Sequence, residues 1–187
     1  MLCFHFTSDK LRNGDPIPPI GEWLEYTGKI VPCKSGLHAS EHPFDALQFA
    51  VGNLLHRVEL DGELISHGNP VDKWVGRRRK IIASIDAESM LREFARWAAT
   101  TVLHLWDAPQ VVRDYLATGE ESIRDAASAA ASAAARNAAR NAAWDAASAA
   151  AGAAARNAAW DVHQAKFAEM VEAAFAQDVY QQPKGTE

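Results

Sequence analysis

The sequence predicts an α+β fold: a small mixed β-sheet domain over residues 1–86, followed by an all-helical region over residues 87–187. Three observations carry this. The first half holds short apolar runs separated by turn-forming dipeptides. At Ala87 the apolar spacing changes from that of strands to that of helices. Between Arg124 and Asp161 the chain reads in alanine-rich tetrads, and alanine is the strongest helix former.

The run LCFHF, starting at Leu2, suits a buried opening strand. Asn-Gly, Asp-Pro and Pro-Pro pairs then mark a loop as far as Trp23. GKIVPC reads as a short second strand ended by Pro32. A Gly-bounded polar tip follows, carrying Ser35, His38, Ser40 and His42. It leads into a helix with Ser40 as N-cap, Pro43 in the first turn, and Phe44, Leu47, Ala50 and Val51 at helical spacing. LLHRVELDGEL is a strand entering a turn at Asp61-Gly62. KWVGRRRKIIASID supplies one or two more strands, with Ile81, Ile82 and Ile85 as its buried residues.

Beyond Asp86, Met90, Leu91, Phe94, Trp97 and Ala98 share one helical face. DAPQVVRDYLATGEES gives a further helix stopped at Thr118-Gly119, and Thr118 and Glu121 have capping-box spacing for the next. In the alanine segment a four-residue repeat advances about 400°, so its non-alanine stripe drifts by about 40° per tetrad. Trp144 and Trp160 therefore fall on nearly opposite sides of a straight helix. Either one long helix serves association or a break at Gly152 folds the segment back. Arg140 with Trp144, and Arg156 with Trp160, have the i, i+4 spacing for guanidinium stacking.

Composition sets the function classes. Hydrophobic residues make up 48% of the 187, inflated by alanine, and the formal net charge of −5 argues against nucleic acid as a partner. Arg, Asn and Asp throughout the alanine segment exclude a membrane span. Two cysteines, Cys3 and Cys33, and no charged leader predict a cytoplasmic protein with two buried, reduced thiols. No phosphate-binding glycine loop, nucleophile elbow or dinucleotide fingerprint is present. His38 and His42 have the spacing of a metal pair without a third ligand, so no metal is expected.

Strand alternation places His5 and Thr7 on one face. A lone histidine in such a place is commonly a satisfied core residue, so its company matters. FHFT, then GLHAS with PFDALQFA, then VDKWV before KIIASID follow the order of parts in the ADP-ribosyltransferase-like fold, which the first half resembles in outline. More of the chain is similar to an uncharacterised family of bacteriophage and prophage proteins, through FHF, GLHAS, DALQFA, RVEL, DK and FARWA with RNAAWDAA repeats behind them.

The transferase resemblance implies roles. His5 would hydrogen-bond the ribose of an NAD or ADP-ribose-like nucleotide, Ser40 would support the nicotinamide side, and Asp72 would be the catalytic acid. Thr7, Gly36, His38, Lys73 and Arg77 would help hold the cofactor. Asp72 stands where that family carries glutamate, one methylene longer, which leaves two versions: an active transferase acting on a host target, or a cleft that only binds. The phage resemblance implies an accessory protein countering bacterial defence. Its partners would be a host protein or a second copy of the chain, held through the alanine faces and their Arg and Trp side chains.

Overall fold

The computed structural model describes residues 1–142 and 152–177. It contains strands β1 (Leu2–Thr7), β2 (Trp23–Glu25), β3 (Leu37–Ala39), β4 (Leu54–His67) and β5 (Lys73–Asp86). Its helices are α1 (Pro43–Leu47), α2 (Glu88–Thr101), α3 (Gln110–Thr118), α4 (Arg124–Ala142) and α5 (Gly152–Gln177). One compact unit joins residues 1–90 to the chain from Gln164 onward, and the other spans Leu91–His163.

The first unit is built on a sheet in the order β1-β4-β5-β2, with β3 also on β5. Every pairing is antiparallel, so the mixed sheet expected from the sequence is an antiparallel one. Its strands are joined without the long crossover that parallel neighbours require. Ser40, just past β3, exchanges backbone hydrogen bonds with Phe4 at 2.7 and 3.0 Å. That contact brings the β3 end of the sheet onto the free edge of β1, so the path β1-β4-β5-β3 closes on itself and an exposed edge is removed.

Several elements differ from expectation for local reasons. GLHAS is not a loop tip: Leu37–Ala39 forms β3, and Ser40 is an edge-bridging residue rather than the N-cap, a position taken by His42 with extended backbone. GKIVPC is no strand. Val31 and Ser35 exchange backbone hydrogen bonds around a tight turn in which Cys33 has φ 63°. Asp61-Gly62 does not end β4 but sits in a register shift within it, where Gly62 with φ 80° supplies a conformation that other residues rarely adopt. A second shift opposite Arg57/Val58 inserts Ile82 as an extra residue in β5, which leaves Ile82 39% exposed while Ile81 and Ile85 are buried.

Cys3, Ala39, Val58, Leu60 and Ile81 make one core cluster of this unit. Arg57 ties α5 to the sheet: its guanidinium lies 4.7 Å from the Phe175 ring centroid and donates to both Glu172 carboxylate oxygens at 2.7 Å. Phe167 meets Phe44 of α1 at 5.8 Å between ring centroids. Asp86 accepts the Glu88 N–H at 2.9 Å, satisfying an orphan donor at the start of α2.

In the second unit Phe94 and Trp97 stack at 5.7 Å, and His163 stands edge-on to both. α3 ends where Gly119, in the left-handed conformation, donates to the Tyr115 carbonyl at 2.8 Å. The Thr118 hydroxyl accepts the Glu120 N–H at 3.2 Å, and a 3-10 turn over Glu121–Ile123 leads into α4. Within the described residues the alanine segment is helical, in α4 and α5. Whether it turns back between them, where Trp144 lies, and both expected Arg–Trp stacks fall outside the described residues. Among the described residues no helix is long and apolar enough to cross a membrane.

The two thiols are free and unlike each other. Cys3 is buried, and burial pushes its thiol up to about 11; Cys33 is exposed at its turn, against the expectation of two buried thiols. Alkylation of the native protein is expected to modify Cys33 alone, with Cys3 reacting only after unfolding, as read by peptide mass. Equal labelling of both in the native state would contradict this burial.

Candidate functional cleft

A cleft of about 590 Å³ opens in the first unit, between β1, β3 and the loops around residues 11–13 and 33–36. Gly36 shows how tightly its wall is built. It has φ 103°, and a Cβ there would stand 2.5 Å from Val75 Cγ2, so only glycine fits. Of the residues singled out in the sequence, His5, Thr7, Gly36, His38, Ser40 and Lys73 all line this cleft.

Asp72 and Arg77 do not line it. Arg77 donates to the Tyr26 and Gly28 carbonyls at 3.1 and 3.0 Å and pairs with Glu63, so it braces the loop after β2. Asp72 lies at the β4–β5 connection, where its N–H donates to the His67 carbonyl and its Oδ1 is buried without a hydrogen-bond partner.

Thr7 belongs to a buried polar chain that sequence alternation did not reveal. Its hydroxyl donates to the Ser8 carbonyl at 2.8 Å, so at 2.7 Å from His56 Nε2 it accepts that nitrogen's proton. His56 Nδ1 then accepts the Ser84 hydroxyl at 2.6 Å, and every polar atom of the chain is used. Burial first, then Arg79, lowers the His56 imidazole to about 4, which keeps it neutral. Ser84 reaches this face through the extra residue at Ile82; plain alternation from Arg79 and Ile81 would put Ala83 there.

His5, directly opposite His56 across β1 and β4, is also held neutral, chiefly by burial and then by Arg79. His38 is lowered by burial and next by the Lys73 ammonium, while its Nε2 accepts the Cys33 N–H at 3.1 Å. The cleft thus offers neutral imidazoles beside fixed positive charges.

Those charges join Lys73, expected from the sequence, to Arg79, Arg12 and Lys34, which were not singled out there. Arg79 is 7% exposed, and its hydrogen bond runs from Nη1 to the His38 carbonyl at 2.7 Å. Lys73 is 9% exposed, with Nζ 3.6 Å from the centroid of the Phe49 ring. Arg12 and Lys34 complete the basic lining, and no aspartate or glutamate is among the lining residues. The signal for Arg79 was present in the run Arg77 to Lys80, but alternation hides it: Arg78 and Lys80 point to Trp23, Asp61 and Glu59 while Arg79 points inward.

No curated protein and no solved structure matches the chain. Residues 1–93 match the family model of a domain of unknown function, DUF7666, and that span takes in every strand of the sheet and every residue lining the cleft.

Proposed function

We propose that the cleft binds an anionic nucleotide of the NAD or ADP-ribose type, and that binding rather than group transfer is its activity. One observation carries this: four basic side chains and no carboxylate line the cleft, in a chain whose net charge is −5. Such a local field concentrates anions against the overall charge. The volume suits a small molecule, and Tyr26, Phe49 and Leu24 give the apolar wall a base or nicotinamide ring would need. His5, neutral, can donate and accept hydrogen bonds to ribose hydroxyls, whereas the acceptor nitrogen of His38 is already taken by the Cys33 N–H. Transfer would need an acid beside the ribose, and Asp72 lies outside the lining, which favours the binding version.

Calorimetry with NAD and ADP-ribose tests this. The wild type is expected to bind both, His5→Ala to bind about tenfold more weakly through loss of a hydrogen bond, and Asp72→Asn to bind as the wild type does. Absence of binding at millimolar nucleotide would end the proposal. Label passing from NAD to a protein acceptor, and lost in Asp72→Asn, would establish the transferase version instead.

A further inference from the structure

We propose that Arg79 and Lys73 form the seat for the ligand's phosphate charge, a terminal phosphate or a diphosphate, within this cleft. The inference rests on the cleft being the ligand site and names the part of the ligand that enters deepest. Both side chains are about nine-tenths buried, both face the cleft, and neither has a carboxylate within ion-pair distance among the described residues. Every other basic side chain on the β4–β5 ribbon is matched: Arg57 by Glu172, Arg77 by Glu63, Arg78 by Asp61 and Lys80 by Glu59.

A buried charge without a counter-charge is costly, and an apolar side chain of similar volume would pack at Arg79 at less expense to stability. The guanidinium is nonetheless kept protonated at neutral pH, with burial lowering it only to about 10. The His38 carbonyl takes one of its five N–H groups. No nitrogen of Arg79 is both sealed from solvent and unbonded, so the remaining N–H groups open onto the cleft. Lys73 is held over the Phe49 face and lines the same cleft as Arg79, so two cations without acidic partners share one cavity. A forked donor and a point charge in one cavity match the oxygens of a terminal phosphate with two negative charges, or of a diphosphate with one on each phosphorus.

The source of that phosphate can be inorganic phosphate or a phosphate ester, and calorimetry at low ionic strength separates them. Inorganic phosphate, adenosine monophosphate and ADP-ribose are titrated into the wild type, Lys73→Met and Arg79→Lys. Expected is millimolar binding of inorganic phosphate, tighter binding of the monophosphate, and a loss of about tenfold or more for both in Lys73→Met and in Arg79→Lys. Arg79→Lys keeps the buried charge and removes the fork, and thermal melts confirm that each variant is folded. No binding of either phosphate by the wild type, or equal binding by Lys73→Met, overturns the seat. If ADP-ribose binds the wild type and Lys73→Met alike, the nucleotide cleft stands and the seat falls. If inorganic phosphate binds in a Lys73-dependent way while no nucleotide does, the seat stands and the nucleotide proposal falls.

Discussion

Replacing Phe167 with alanine is expected to lower the unfolding free energy of the sheet unit by about 3–5 kcal/mol, the range for deleting a fully buried phenyl ring. Phe167 is 0% exposed and packs on Phe44 of the short helix that flanks the cleft. Met170, Val171 and Phe175 continue the same face of α5, at the spacing of successive helical turns. Removing the ring leaves a cavity that these neighbours, fixed by the Arg57–Glu172 pair, cannot fully fill. Urea denaturation of Phe167→Ala beside Val162→Ala measures it. Val162 is exposed on the same helix, so its truncation should cost about 0.5 kcal/mol or less. Equal losses in the two variants would show that α5 does not pack on the sheet.

Stability should fall as pH drops from about 6.5 towards 4, with His56 contributing about 3 kcal/mol of the loss. The sign follows from proton uptake. In the unfolded chain His56 titrates near its ordinary value, whereas in the fold burial and Arg79 hold it to about 4. Above both values the imidazole is neutral in either state and has no effect. Between them the unfolded state binds a proton that the native state refuses, so stability declines with falling pH; below about 4 the loss is complete. His5, lowered by burial and Arg79, acts in the same direction. Urea melts between pH 6.5 and 4.5, where most carboxylates stay ionised, read the slope directly. His56→Gln should flatten it. An unchanged slope in that variant, or a wild type indifferent to pH in this window, would contradict the buried chain from Thr7 to Ser84.

Much of the element order was legible because it rests on local physics. The apolar run at Leu2–Thr7, the helical spacing through Phe94 and the glycine stop at Gly119 depend on side-chain period and backbone freedom, both written residue by residue. Five cleft residues, His5, Thr7, His38, Ser40 and Lys73, were also visible as polar side chains, with Gly36 beside them. What stayed hidden depends on register. A single extra residue at Ile82 turns Ser84 inward to His56, and no local preference announces it. The run Arg77 to Lys80 looks like one basic patch, yet alternation sends Arg79 into the cleft and gives its neighbours acidic partners from β4. The sequence by itself determined an α+β chain with a strand-borne histidine, a polar segment before a helix and an alanine-rich helical stretch. Only the tertiary structure decided that Leu37–Ala39 pairs with β5, that Ser40 closes the sheet on Phe4, and that α5 returns to cover it. Those are contacts between residues far apart in the chain, set by which edges and faces must be covered rather than by the preferences of any one segment.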